Sequence, residues 1–155
     1  MILPFLWIDF YNNIGNALKN NGDLVAAIKN YKQAIQINPE CAEYYNNIGN
    51  AFRDIGELEI GLEYLQKATE IKADYAEAHF NLGVMMQKLG KLKEAEASYN
   101  KSIALKPDFA EAHSNRGYLL FDKGEYEAAL RDADACILGE KNRELSLICL
   151  LYTSP

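Results

Sequence analysis

The sequence predicts an all-α protein, a solenoid of about four helix-turn-helix repeats. Three observations carry that prediction. Gly15, Gly49, Gly83 and Gly117 stand 34 residues apart, and a fixed period of this length marks a stacked repeat. A second glycine series, Gly22, Gly56, Gly90 and Gly124, keeps the same period, as do Leu24, Leu58, Leu92 and Tyr126. Within one period the apolar residues fall into two stripes at helical spacing. In the second period these are Tyr45, Ile48, Phe52 and Ile55, then Leu58, Leu62, Leu65, Ala68 and Ile71.

Residues 1–7 form an atypical edge. They are apolar and include Pro4, but carry no basic start and no small-residue cleavage site, so neither a signal peptide nor a membrane span is expected. The repeats are placed at 8–41, 42–75, 76–109 and 110–143. In each, the second glycine supplies the left-handed residue that ends the first helix. An acidic residue, Asp23, Glu57 or Glu125, follows it in three of the four, where the start of the second helix favours negative charge. Pro39 and Pro107 close second helices, because proline cannot continue them.

A glycine inside the first helix costs about 1 kcal/mol against alanine. Close packing is the expected reason. Small residues recur on the second helix at Ala27, Gly61, Ala95 and Ala129, and again at Ala34, Ala68, Ser102 and Cys136. Small facing small lets two backbones approach, with Leu18, Phe52, Met86 and Leu120 filling the space beside them.

These residues resemble the tetratricopeptide repeat family, whose motif runs aromatic, leucine-glycine, aromatic, then alanine, a large aromatic, alanine and proline. The likeness covers residues 8 to 141. Ala73 and Lys141 replace the closing proline, His79 and His113 the first aromatic, and Arg116 the leucine before glycine. The resemblance implies a right-handed superhelix in which first helices line a concave groove and second helices form the back. It also implies a scaffold that binds protein or peptide, with no catalytic role and no cofactor.

Composition agrees with that expectation. The chain has 155 residues, 49% of them apolar, enough for a real core. Its net charge is −6, which repels a phosphate backbone, so no nucleic-acid partner is expected. Cys41, Cys136 and Cys149 lack zinc-site spacing and are odd in number, which fits a reducing, cytoplasmic setting.

Helical spacing leaves a set of groove candidates off the packed stripe of the first helices: Asn12, Asn13, Asn16, Asn46, Asn47, Asn50, Phe80, Asn81, Val84, Ser114, Asn115 and Tyr118. One column, Asn13, Asn47, Asn81 and Asn115, is asparagine in every repeat. An amide offers donor and acceptor together, and so matches a peptide backbone whatever its side chains. Helices roughly 8 to 10 Å apart would meet an extended chain at roughly every third residue. The column resembles the asparagine ladder in the repeats of protein O-linked N-acetylglucosamine transferases. The lesser alternative is that these asparagines tie neighbouring helices together by hydrogen bonds.

The family's carboxylate clamp for acidic chaperone tails does not carry over. Its asparagines fall on Asn16 and Asn47, but its basic positions fall on Asn12, Glu77 and Asn81. One repeat onward they fall on Asn46, Glu111 and Asn115. An anionic terminus would lack charge-assisted bonds in either frame.

Asp9, Glu43, Glu77 and Glu111 form an acidic column that suits a basic ligand, although each stands in a first helical turn, where the dipole accounts for it. Phe80 and Tyr118 are either ligand anchors or packing residues. His79 and His113 replace core aromatics without cysteines at ligand spacing, so packing is preferred to metal. No nucleophile-base pair or phosphate loop stands out.

Residues 144–155 leave the repeat. Their apolar run suits a cap on the last repeat. Cys149 to Pro155 also resembles the conceptual translation of a transposase end sequence used in DNA library preparation, and Leu145 to Ile148 matches another frame of it. The segment is therefore set aside from functional reasoning. On that reading the four repeats are a fragment of a longer solenoid, and a substrate-recruiting part of a larger enzyme such as a glycosyltransferase is the alternative function.

Overall fold

The structure is a computed structural model that describes residues 3–138, with side chains from residue 10 to residue 137. Eight helices follow one another in those residues: α1 (Leu3–Asn20), α2 (Leu24–Ile37), α3 (Ala42–Ile55), α4 (Leu58–Ile71), α5 (Ala76–Lys88), α6 (Leu92–Leu105), α7 (Ala110–Asp122) and α8 (Tyr126–Leu138). They pack as four pairs, α1 with α2 through α7 with α8, and each pair then packs on the next through α2–α3, α4–α5 and α6–α7. This is the solenoid that the period predicts. The helix α1 runs unbroken from Leu3, so the described part of the expected 1–7 edge belongs to the first helix. The expected 144–155 tail lies outside the described residues. No helix among the described residues is long and apolar enough to cross a membrane.

The turns within pairs use the second glycine series as expected. Gly56 has φ of 92°, and the N–H of Glu57 reaches back to Phe52 O at 3.0 Å, which satisfies a carbonyl at the end of α3. Asp23 caps α2 by accepting from Ala26 N at 3.0 Å, a bond that Glu57 does not make for α4. Between pairs, α4 ends at Ile71 with an extended Lys72 although Ala73 stands where Pro39 and Pro107 stand.

The glycines inside the first helices have a more specific cause than small residues facing small. A Cβ on Gly15 would lie 2.5 Å from the Tyr31 ring, and one on Gly83 would lie 2.6 Å from the Tyr99 ring. On Gly49 it would meet Leu65 Cγ at 2.7 Å and Gly61 O at 3.0 Å. Each of these glycines thus lies beneath a large side chain of the second helix, with a small residue's backbone alongside it in the second and third repeats. Gly117 is looser, since its nearest neighbour would be Asp132 Cβ at 3.3 Å. Cores form between pairs as well as within them: Ile28 packs with Ile48, Ala51 and Phe52, and Leu62 with Met85.

Candidate functional site

The first helices share a face. The helix α1 approaches α3, and α3 approaches α5, and side-chain amides cross both gaps. Asn47 donates through Nδ2 to Asn12 Oδ1 at 3.0 Å, and Asn81 repeats the bond one step on, to Asn46 Oδ1 at 2.9 Å. Asn12 in turn donates to Glu43 Oε1 at 3.0 Å. The donors belong to the all-asparagine column, and the acceptors to the position just before it in the preceding repeat.

The sequence candidates therefore separate by burial. Asn12, Asn46 and Asn50 are buried, Asn16, Asn47, Asn81 and Asn115 are half-buried, and Asn13 is exposed. Asn16 Oδ1 accepts the Tyr31 hydroxyl at 2.8 Å. Asn115 hydrogen-bonds the Tyr99 hydroxyl, which itself donates to Gln87 Oε1 at 2.7 Å. Asn50, 9% exposed, has no hydrogen-bond partner for Oδ1 among the described residues. Burial pushes the Tyr31 and Tyr99 hydroxyls up to about 12, the carboxylates of Asp54 and Glu43 adding to the effect at Tyr31 and the Asn115 bond opposing it at Tyr99.

Phe80 packs against Phe109 and Tyr99, with ring centroids 5.0 and 6.1 Å away, while Tyr118 is exposed. Val84 and Ser114 are half-buried. Within the acidic column Glu43 is held by Asn12, Glu77 is paired with Lys106 Nζ at 3.3 Å, and Glu111 is exposed. Charges on neighbouring turns compensate one another, with Asp54 between Lys19 at 3.5 Å and Arg53 at 3.1 Å.

Neither histidine faces a set of metal ligands, and no group of three metal-binding side chains occurs among the described residues. His79 Nε2 lies 3.0 Å from Ala73 O. His113 is buried between Asp132 Oδ1, 2.9 Å from Nδ1, and Pro107 O, 2.9 Å from Nε2. Arg116 Nε donates to the second Asp132 oxygen at 2.7 Å, Nη2 bonds the first, and Nη1 bonds Asn100 on α6. This buried cluster was not singled out from the sequence, where Arg116 was only a departure from the motif. The signal available was that Asp132 recurs at no other repeat, its equivalents being Asn30, Tyr64 and Ser98.

The family model described as TPR repeat matches residues 15–56, 49–90 and 87–124. No curated protein matches the chain. Among solved structures, the crystal structure of MamA is similar with a TM-score of 0.78 at 25% identity, over 88% of this chain and 80% of that one. PilF of Pseudomonas aeruginosa gives a TM-score of 0.82 at 20% identity, over 91% and 64%. The first TPR domain of Spaghetti (RPAP3), solved bound to the HSP90 peptide SRMEEVD, gives 0.73 at 20% identity, over 76% and 93%. The last two likenesses concern fold alone.

Proposed function

Because the chain belongs to the tetratricopeptide repeat family, we propose that it is a non-catalytic scaffold whose first-helix face holds an extended polypeptide through its main chain. One observation carries this reading: the face is paved with amides that keep hydrogen-bonding capacity. Asn47 and Asn81 each use one N–H across the repeat junction, which leaves each a second N–H and the carbonyl oxygen. Asn13 is exposed at the same column. Tying helices and meeting a ligand are thus compatible uses of one side chain. Asp54 is matched by Lys19 and Arg53 and Glu77 by Lys106, whereas Glu43 is bonded by the neutral Asn12 and Glu111 is exposed, so the face keeps some negative charge and favours an anionic ligand least.

Acidic chaperone tails fit this face poorly, since Asn12, Glu77 and Asn81 stand where the clamp needs cations. The likeness to the asparagine ladder of O-linked N-acetylglucosamine transferases rests on the column Asn13, Asn47, Asn81 and Asn115. Recruiting substrates for such an enzyme would be a specialised use of the same groove.

A peptide selected on the protein from a random library tests the reading by calorimetry. N-methylating alternate backbone nitrogens should weaken binding by about tenfold or more, since each lost bond is worth about 1 kcal/mol. Alanine replacements in the peptide should mostly cost less. Unchanged affinity after N-methylation would reject main-chain recognition.

A further inference from the structure

The turn inside a helix pair carries opposite charge in two neighbouring repeats. In the second repeat it is flanked by Asp54, Glu57 and Glu59, and the same three positions one period later hold Lys88, Lys91 and Lys93. All six are exposed. Asp54 is paired with Lys19 and Arg53, whereas the other five have no ion pair among the described residues. Local helix chemistry accounts for the acidic set but not for the basic one. Glu57 and Glu59 stand at the start of α4, where the dipole favours negative charge. Lys91 is the N-cap residue of α6 and Lys93 lies in its first turn, where the same dipole opposes a cation.

Apolar side chains accompany both sets. Ile55 and Ile60 are 41% and 40% exposed beside the acidic residues, and Leu92, between Lys91 and Lys93, is 45% exposed. The pairs repeat in one orientation, so the α3–α4 and α5–α6 turns lie side by side along one edge of the solenoid. Repeats stack through the sides of their helices and not through their turns, so this edge is not a stacking surface.

We infer that two copies of this chain pair edge to edge through these turns. A two-fold axis between the second and third repeats sets the acidic turn of each copy against the basic turn of the other, so the same contact is made twice. It also brings Ile55 and Ile60 of one copy to Leu92 of the other. The lysines then have the partners that their own chain does not give them, and the pairing is isologous, so it closes at two copies.

Sedimentation velocity of the full chain from about 1 to 500 µM tests this, because an edge of modest area gives an affinity on the order of micromolar to tens of micromolar. The mean mass should rise toward about twice that of the monomer and stop there. K91E with K93E makes both turns acidic, and E57K with E59K makes both basic; each double variant should weaken pairing about tenfold or more. The milder K91Q with K93Q should weaken it in the same direction. An equimolar mixture of the two charge-reversed variants should restore the dimer, because every acidic turn again meets a basic one. A chain with all four reversals should pair as well, since it only exchanges the two signs. The positions are exposed, so circular dichroism should show wild-type helicity in every variant. A wild type that stays monomeric throughout would mean that the opposite charges act only between neighbouring turns of one chain, and would overturn the inference. Growth past the dimer, undiminished pairing in either charge-reversed variant, or a mixture that stays monomeric would overturn it too.

Discussion

Leu65 stands where Asn50 would need a hydroxyl. In the first repeat Tyr31 donates to Asn16 Oδ1 at 2.8 Å. Leu65 and Asn50 occupy the equivalent positions one period later, and Asn50 Oδ1 is buried without a partner among the described residues. A buried acceptor left unsatisfied costs about 1 to 3 kcal/mol. Leu65→Tyr should remove that cost, since tyrosine already packs over the corresponding glycines at Tyr31–Gly15 and Tyr99–Gly83. We expect a gain of about 1 kcal/mol, seen as a melting temperature several degrees higher. Adding Asn50→Ala should cancel the part due to the hydrogen bond. An equal gain with and without Asn50 would show that the hydroxyl does not reach it.

The cluster of His113, Arg116 and Asp132 replaces an apolar contact set. The equivalents two repeats earlier are Tyr45, Ile48 and Tyr64, whose two rings lie 6.3 Å apart. Removing one member strands the rest, so Asp132→Ala should cost roughly 3 to 5 kcal/mol in urea unfolding. Converting all three together, H113Y with R116I and D132Y, should cost far less and can be neutral, because well-packed apolar residues often match a buried ion pair. If the triple change proves as damaging as Asp132→Ala, the cluster contributes more than its charges need.

Alkaline pH should loosen the junctions before it affects the turns. Burial raises the hydroxyls of Tyr31, Tyr75 and Tyr99 from the usual 10 to about 12. The neutral form is the one the fold favours. Its stabilising effect is therefore fully present below pH 10 and is lost as pH climbs through 12. Ultraviolet titration of tyrosinate should show a late group of tyrosines ionising together with the loss of helix. Complete ionisation near pH 10 with helix intact would contradict the burial of these rings.

An acidic peptide should gain nothing from its terminal carboxylate. SRMEEVD as the free acid and as the C-terminal amide should bind equally and weakly, because the positions that would hold cations carry Asn12, Glu77 and Asn81. A tenfold preference for the free acid, about 1.4 kcal/mol, would mean that other cations reach the groove.

The helices were legible because the 34-residue period and two glycine series repeat local chemistry, and local chemistry decides where a helix stops. Gly56 and its equivalents lie at positive φ as the turn requires. The hydrogen-bond partners were less legible. Asn47 was visible as a column member, yet its partner Asn12 lies 35 residues back on another helix, and that register is a property of packing. Phe80 stood as anchor or packing residue in the sequence, and its contact with Phe109 depends on how α5 meets the α6–α7 turn. Residues 1–7 stand outside the repeat pattern, so the period says nothing of their local structure, and the helix α1 begins among them at Leu3.

The role of the amide face is tested most directly by following the asparagine side-chain amide signals together with the backbone amide signals in a two-dimensional NMR titration with the selected peptide. The account predicts that Asn13, Asn47 and Asn81 shift together and saturate at the stoichiometry of one peptide per chain, while signals from α2, α4 and α6 stay in place. Saturable shifts confined to those second helices, with the three asparagines unmoved, would contradict it.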